Sequence, residues 1–444
     1  MRYSTAAMRG VRFGMCLCAF LALVLGCNPM ERARGLSGPP TGPDILIGVP
    51  MALTGVQVGE AAQTRQGYDL WADWANVQGG INVAGVRHRV RLLYQDDESK
   101  PQVAAAVTQK LINVDKVQFL LGTYGSTDIA QQAAVADRAK MPLVDASGAS
   151  RAIFTQGYRY VFGVIAPANQ YLATVLDMAA SMNPRPTTVA ILSSDDSFSK
   201  EVANGAADYA PTKGLQVVYS REYPAGSTNL YPLLAEAKAK NPDMVLNSGH
   251  LVEAVALNKA ARDLRFEAKL FSYSVGPSTP DFVQQLGQEA NYVFGPSQWS
   301  PSMNFRPTYY LTVPEYVSAY QQKFQVKYSP SYIAAEGTAA GIALQKAIET
   351  AGSLDRDKVR QALADLDMMT FFGRMKFNNQ GQNTFRSMVV EQVQNQKRET
   401  VWPLQVASAH PLYPTPKWSV RAGIADGPPA PAPKLPLTGR PPTG

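Results

Sequence analysis

A short glycine-rich stretch, residues 122–127 (GTYGST), separates a predicted strand from a predicted helix and is the clearest place for ligand chemistry. Free backbone N–H groups and the dipole at the start of a helix favour a carboxylate or another anion. Ser126 or Thr127 can cap this helix and still offer a hydroxyl group to a ligand. An ordinary strand-to-helix turn has the same composition, so the stretch alone leaves both interpretations open.

Other reactive residues do not form a recognisable catalytic or metal site. The acidic groups at 96–98 and 195–196 follow predicted strands, where Asp commonly forms turns and caps. His88, His250 and His410 are far apart in sequence, which argues against a histidine-rich metal site. The sequence contains no P-loop, no G-x-S-x-G and no HExxH motif. We therefore expect no catalytic residue, no metal and no cofactor.

Composition and charge describe an ordinary globular chain of 444 residues, of which 45% are hydrophobic and 17% charged. That is enough apolar material for a sizeable core. The formal net charge is +7, and three of the positive charges, Arg2, Arg9 and Arg12, lie at the N-terminus. The small excess that remains does not require a nucleic-acid partner.

The N-terminus reads as an export signal. Three arginines precede residues 13–25, which are apolar or small and too few for a comfortable membrane span. Gly26 then precedes Cys27, which resembles a bacterial lipobox and implies a signal peptide over 1–26, cleavage before Cys27 and lipidation of its thiol. The alternatives are an uncleaved anchor and a chance cysteine. We expect an exported protein, held by lipid at a membrane in the periplasm or at the cell surface.

Two proline-rich segments flank a cysteine-free body. Residues 27–43 read as a flexible tether, and residues 411–444 as a C-terminal segment whose last part, 423–444, is a disordered tail. All three cysteines lie at or before position 27, so the body has no disulfide. No stretch downstream of the signal is apolar for long enough to predict a transmembrane helix.

The body alternates short apolar runs with amphipathic stretches, which favours an α/β fold with parallel sheets. One set of strand–helix units covers residues 45–164, and a second set begins at residue 189. Two sets indicate two similar lobes, with a ligand cleft beyond the carboxyl ends of the strands. Residues 331–366 are expected to be helical throughout, followed by strands over 371–377 and 387–393.

Several ordered pieces of the body resemble the periplasmic substrate-binding proteins of ABC transporters, in the branched-chain amino acid (Leu/Ile/Val) receptor group. The resemblance depends on the order and spacing of these pieces rather than on any single one. They are residues 47–49 (IGV), 53–55 (LTG), Gly67, 79–81 (GGI), 94–97 (YQDD), 122–126 (GTYGS), 351–353 (AGS), 358–360 (KVR), 373–377 (GRMKF), Gly381 and 414–418 (PTPKW).

The resemblance implies a type I periplasmic-binding-protein-like fold, in which two similar parallel-sheet lobes are joined by three crossovers and close on a small ligand. The crossovers are expected near Val164, Trp299 and Gly373. The first lobe would comprise 44–164 plus 300–372, and the second 165–299 plus 373–410. The implied function is capture of an amino acid, an organic or aromatic acid or an amide by a monomeric receptor that delivers it to ABC permease subunits.

Ligand contacts carry over from the family residue by residue. The serine that holds the ligand carboxylate falls on Ser126, and the neighbouring loop on Ser147, Gly148 and Ala149. The second-lobe aromatics fall on Phe198 and His250. Tyr124 either lines the cleft or braces its turn, and Thr127 offers a further hydroxyl. Phe198 packing on its own lobe and a purely structural His250 are the alternatives.

The acidic residue that pairs with a ligand ammonium group in the family falls on Ser274. A buried ammonium group without a carboxylate is costly. The sequence therefore favours a ligand that lacks an ammonium group, unless Glu60 supplies the charge. Two other functions remain open: a sensor of the same fold that reports to a regulator, and an exported hydrolase.

Overall fold

The computed structural model describes residues 38–421. The predicted signal peptide, Cys27, the first part of the tether and the proline-rich tail therefore lie outside the described residues. Within the described range, no helix combines the length and apolar character needed to cross a membrane.

Six strands from the first part of the chain form one sheet. They are β1 (Gly42–Met51), β2 (Ile81–Val83), β3 (Val86–Asp96), β4 (Phe119–Leu121), β5 (Leu143–Asp145) and β6 (Val161–Gly163). Their order is β2-β3-β1-β4-β5-β6, and every pair except β2–β3 is parallel. Every residue of β4, β5 and β6 is buried, and Asp145 is the one charged residue among them, as expected for parallel strands covered on both faces.

A second sheet of seven strands follows. The remaining strands are β7 (Thr188–Ser194), β8 (Gln216–Tyr223), β9 (Met244–Ser248), β10 (Leu270–Tyr273), β11 (Phe294–Ser297), β12 (Asp367–Thr370), β13 (Gly373–Lys376), β14 (Val389–Gln394) and β15 (Lys397–Trp402). The sheet runs β15-β14-β11-β10-β9-β7-β8, with β14 antiparallel to both neighbours, while β12 and β13 form a separate hairpin. The predicted α/β architecture of two lobes is confirmed.

Helices cover both sheets. They are α1 (Val58–Val77), α2 (Pro101–Asn113), α3 (Ser126–Arg138), α4 (Arg151–Phe154), α5 (Tyr171–Ala179), α6 (Ser197–Tyr209), α7 (Tyr231–Ala239), α8 (Leu251–Asp263), α9 (Pro280–Leu286), α10 (Val313–Phe324), α11 (Tyr332–Ala351), α12 (Arg356–Ala364) and α13 (Trp418–Arg421). The Trp418 indole is buried and donates to the Phe266 carbonyl at 2.9 Å, so the start of the C-terminal segment packs on the second lobe.

Two local expectations are wrong. Residues 331–366 are not one helix, because Gly352 adopts φ +55° after α11 and Asp355 caps α12 by accepting from Lys358 N at 3.0 Å. Residues 371–377 are not one strand either. Phe371 and Phe372 turn between β12 and β13, and the positive φ of Gly373 (+110°) follows that turn.

Helix α11 is nearly all buried and packs closely on α1. A Cβ atom at Gly67 would lie only 2.1 Å from the Ala334 carbonyl oxygen, so glycine lets the two backbones touch. Thr338 Oγ1 donates to the Gly67 carbonyl at 2.8 Å, and Trp71 Nε1 donates to Gln345 Oε1 at 2.9 Å. These contacts fix a helix from late in the chain against the first lobe.

The chain passes between the two lobes three times. The first passage joins β6 to β7, the second follows β11, and the third lies between α12 and β14. Val164, Trp299 and Gly373 lie in these three passages respectively. Gln298 ties two of them together, since its amide accepts from Ala166 N at 3.0 Å and donates to the Ala166 carbonyl at 3.2 Å. The lobe boundaries inferred from the sequence stay a prediction.

Candidate functional site

A narrow cavity lies between the lobes, and five of the residues that the sequence singled out line it. They are Tyr124, Ser126 and Ser147 from the first lobe and Phe198 and His250 from the second. The cavity measures about 10 Å³, which is room for about one water molecule. The lobes are therefore closed upon each other in this structure, and a larger ligand needs them to separate.

Ser126 is the first residue of α3, directly after β4 and a turn. Gly125 has φ +88°, a conformation that glycine adopts without strain and that points the start of the helix at the cavity. Ser126 Oγ accepts from Ser150 N at 3.1 Å and keeps its own proton for a ligand. Thr127 does not line the cavity. Its hydroxyl lies 3.1 Å from Ser197 Oγ and joins the lobes instead.

The loop after β5 is shaped by a buried carboxyl group. Asp145 Oδ1 accepts from Ser147 N and Gly148 N, both at 2.9 Å, and this turn presents Ser147 to the cavity. Burial raises the pKa of Asp145 to about 7, against the two backbone hydrogen bonds. Gly148 and Ala149 lie behind this surface. A Cβ atom at Gly148 would meet Asp145 Oδ2 at 2.4 Å.

His250 connects the two lobes at the cavity. Its Nδ1 lies 3.2 Å from the Tyr124 hydroxyl oxygen, and its Nε2 lies 3.6 Å from Asp196 Oδ2. Burial opposes protonation, but the charge and hydrogen bond of Asp196, with Glu253 and Glu60 nearby, raise the pKa of His250 to about 10. His250 is therefore a cation at neutral pH. Tyr124 both lines the cleft and contacts this cation.

Phe198 lies between the cavity and its own lobe. Its ring is 5.6 Å from the His250 ring and 5.1 Å from the Tyr171 ring, with the latter pair edge-to-face. It thus packs on its neighbours and still presents an apolar surface to the cleft. The packing on its own lobe is observed, and the contact with a ligand stays a prediction.

Glu60 and Ser274 do not line the cavity. Glu60 Oε1 accepts from Leu251 N at 2.9 Å, so this first-lobe carboxylate binds the start of the second-lobe helix α8. Burial raises the pKa of Glu60, opposed by His250 and by the Leu251 N–H. Ser274 Oγ donates to the Gly249 carbonyl at 2.9 Å and accepts from Gly249 N at 3.0 Å. It braces the loop before His250.

Gly125 of the 122–127 stretch also lines the cavity, together with four residues that no sequence motif indicated. These four are Tyr171, Val275, Tyr332 and Glu336. Tyr332 and Glu336 lie one turn apart on α11. The available signal was an acidic residue, Glu336, among the small and apolar residues of the first half of this helix, because a carboxyl group on a buried helix face calls for a functional explanation. Among residues 38–421, no group of three or more His, Cys, Asp or Glu residues is arranged to hold a metal ion.

Glu201 on α6 joins the lobes at the edge of the cavity. Its Oε2 accepts from Ser150 Oγ at 2.8 Å and Arg151 N at 2.9 Å, and its Oε1 accepts from Arg151 Nε at 3.0 Å. Both donors belong to the first lobe. Glu201 therefore stabilises the closed form through three hydrogen bonds to one carboxylate.

We expect Glu201→Ala to favour the open form, because these hydrogen bonds exist only when the lobes meet. Ligand affinity should fall about tenfold, since a hydrogen bond to a charged group contributes about 1.5–3 kcal/mol. Small-angle scattering with ligand present should give a larger radius of gyration. Glu222→Ala is the control, because Glu222 pairs with Lys200 of the same lobe at 3.6 Å. Equal affinities in both variants would contradict this role.

Comparisons with known proteins agree with this geometry. A family model described as periplasmic binding protein matches residues 44–398. The Leu/Ile/Val-binding protein homolog 7 of Brucella abortus is 22% identical over 380 residues, covering 82% of this chain and 92% of that relative.

Two solved structures share the fold at low identity. A leucine binding protein, LivK, from Thermotoga maritima has a TM-score of 0.71 at 21% identity, covering 80% of this chain and 97% of that one. A solute binding protein of an ABC transporter from R. palustris, in complex with benzoate, has a TM-score of 0.70 at 17% identity, covering 83% and 97%. The predicted type I periplasmic-binding-protein fold is confirmed.

Proposed function

Because this chain belongs to the periplasmic binding protein family, we propose that it is an exported receptor that captures a small organic ligand between its lobes and delivers it to an ABC permease. The cavity between the lobes carries this proposal, since both lobes contribute side chains to it. Closure over the ligand would create the surface that the permease recognises. The receptor acts as a monomer and releases its ligand chemically unchanged.

The chemistry of the cavity supports an amino acid, an organic or aromatic acid, or an amide. Ser126 at the start of α3 and the cationic His250 suit a carboxylate or another acceptor. The rings of Phe198 and Tyr171 suit an apolar or aromatic body. The relatives named above include proteins called leucine-binding and one in complex with benzoate.

We propose that Cys27, which lies outside the described residues, carries the lipid that holds this receptor at a membrane. The signal at 1–26 and the absence of cysteine after position 27 support that assignment. Export to the periplasm or the cell surface then places the cleft where the ligand arrives.

The test is binding of amino acids, aromatic acids and amides to the purified protein, by thermal shift and calorimetry. A ligand at one hundred times its dissociation constant should stabilise the fold by about 2.7 kcal/mol. We expect Ser126→Ala to weaken that binding by on the order of tenfold to a hundredfold, because the hydroxyl meets the ligand in a water-poor site.

Ser181→Ala is the matched control, because Ser181 donates to the Met178 carbonyl at 2.7 Å, where the chain leaves α5 outside the cavity. Thermal unfolding of both variants without ligand separates lost stability from lost contact. No ligand from any of the three classes, or full affinity in Ser126→Ala, would overturn the assignment.

A further inference from the structure

Glu336 is a carboxyl group inside the cavity that has no assigned role. It projects from α11 beside Tyr332, and only 1% of the residue is exposed. Its Oε2 atom is inaccessible to solvent and accepts no hydrogen bond from any residue in the described part of the chain. An unsatisfied buried oxygen of this kind costs stability and calls for a partner.

The surroundings of Glu336 do not supply that partner. Burial raises the pKa of Glu336 well above its usual value, and Asp145 on β5 raises it further. A hydrogen bond from Ser147 and the charge of Arg386 lower the pKa of Glu336, but neither outweighs burial. The guanidinium of Arg386 is bound by two carbonyls, Phe372 O and Gln298 O. Burial and Asp145 therefore favour the protonated form of this carboxyl group, and its Oε2 atom stays without a partner among the described residues.

Three aromatic side chains of the same cavity suit a positively charged guest. Tyr171, Tyr332 and Tyr124 line the same cavity, and their ring faces attract cations. The hydroxyl groups of these residues stay neutral, since burial raises the pKa of each. His250 is the cation of the cavity and is already engaged by Asp196 and Tyr124. Glu336 is thus left as the acceptor for an incoming cation.

We propose that Glu336 is the counter-ion of a ligand ammonium group, so that the captured molecule is an amine-bearing compound. The inference rests on the proposed function and narrows its ligand class. The sequence favoured a ligand without an ammonium group, because Ser274 stands where the family has the acidic partner. This proposal reverses that expectation. The acidic residue comes from α11 of the first lobe instead of from the second-lobe position that Ser274 occupies.

Binding should then expel the proton from Glu336, because the ammonium group stabilises the charged carboxylate. This gives a readout that a merely structural residue would not produce. Calorimetry in two buffers of different ionisation enthalpy should report a net release of protons when the ligand binds. The measurement uses the unaltered protein and does not depend on any variant.

The experiment compares leucine and phenylalanine with 4-methylpentanoate and 3-phenylpropanoate, which lack only the ammonium group. We expect binding of an amine-bearing member and at least tenfold weaker binding of its deaminated partner. Glu336→Gln should reduce affinity for the amine by on the order of tenfold to a hundredfold and abolish proton release. Glu349→Gln on the same helix is the control, since Glu349 accepts from Tyr309 Oη at 2.9 Å outside the cavity.

The outcomes separate the two proposals. Tight binding of the deaminated acids alone, or amine binding without proton release and unchanged in Glu336→Gln, would overturn the role of Glu336 and leave the receptor function standing. Failure of the unaltered protein to bind any amino acid, acid or amide would overturn both. Thermal unfolding of Glu336→Gln without ligand checks its fold. We expect its melting temperature to match or exceed that of the unaltered protein, because an unsatisfied buried carboxyl group is removed.

Discussion

Replacement of Gly67 by alanine is expected to lower the free energy of unfolding by about 3 kcal/mol or more. The added Cβ atom would lie 2.1 Å from the Ala334 carbonyl oxygen and 2.8 Å from Thr338 N. Both neighbours are backbone atoms of α11, which no side-chain rotation can move. The two helices must separate, and the tight packing between them is lost over several turns.

The same substitution should weaken ligand binding, because α11 carries Tyr332 and Glu336 into the cleft. A shift of this helix also breaks the hydrogen bond from Thr338 Oγ1 to the Gly67 carbonyl and strains that from Trp71 Nε1 to Gln345 Oε1. A misplacement of about 1 Å is enough to spoil the geometry of a binding site. Stability and affinity should therefore fall together.

Urea unfolding and calorimetry with the identified ligand measure the two effects. The matched control is Gly59→Ala in the same helix, where the added Cβ atom would meet Leu251 Cδ2 at an ordinary 3.5 Å. In that position alanine should be neutral or stabilising by about 1 kcal/mol, since it favours helix more than glycine does. Equal unfolding midpoints for Gly67→Ala and Gly59→Ala would contradict close backbone contact between α1 and α11.

Strand and helix positions in the two sheets follow from local patterns in the sequence. Buried parallel strands such as β1 and β9 contain short apolar runs, and the polar residues after these runs mark the edge where the cleft forms. Tyr124, Ser126, Ser147 and Phe198 were found in this way or by resemblance because each follows a strand directly. Proximity to a strand end is a local property and can be read from sequence.

The residues that α11 places in the cavity could not be predicted from local sequence patterns. The burial of this helix depends on packing against α1, more than 250 residues earlier, through a contact that only Gly67, Gly337 and small neighbours allow. The turn at Phe371 and Phe372 is likewise imposed by tertiary packing of two aromatic side chains. Ser274 shows the reverse case, since this position was inferred from the family alone, and its side chain forms hydrogen bonds with Gly249 instead of lining the cavity.

Stability of the ligand-free protein is expected to fall as the pH rises from about 4.5 to about 8. Burial raises the pKa of Asp128, Asp145 and Glu391 to about 7 each. The folded protein therefore keeps protons on these groups that the unfolded chain, with pKa values of about 4, has already lost. Because the folded state binds more protons in this window, the free energy of unfolding decreases with pH.

Loss of the proton from His250 also lowers the free energy of unfolding as the pH rises, mainly at the upper end of this range. Asp196 and its other acidic neighbours, against the effect of burial, raise the pKa of His250 to about 10. The stability that it contributes is complete below the unfolded value of about 6.5 and is lost as the pH rises through about 10. Asp196 has a lowered pKa despite its burial, because of His250 and Ser199, and so stays ionised throughout the window. Its contribution is lost only in stronger acid.

Urea unfolding at pH 5 and pH 8 should thus differ by several kcal/mol, since one unit of pKa shift corresponds to about 1.4 kcal/mol. Glu391→Gln should flatten this dependence, because Glu391 lies on β14 with Oε2 buried and without a hydrogen-bond partner among the described residues. The ligand-free variant should be more stable than the unaltered protein at pH 8 and closer to it at pH 5. A free energy of unfolding that is equal at both pH values, or higher at pH 8, would show that these carboxyl groups reach water in the folded state.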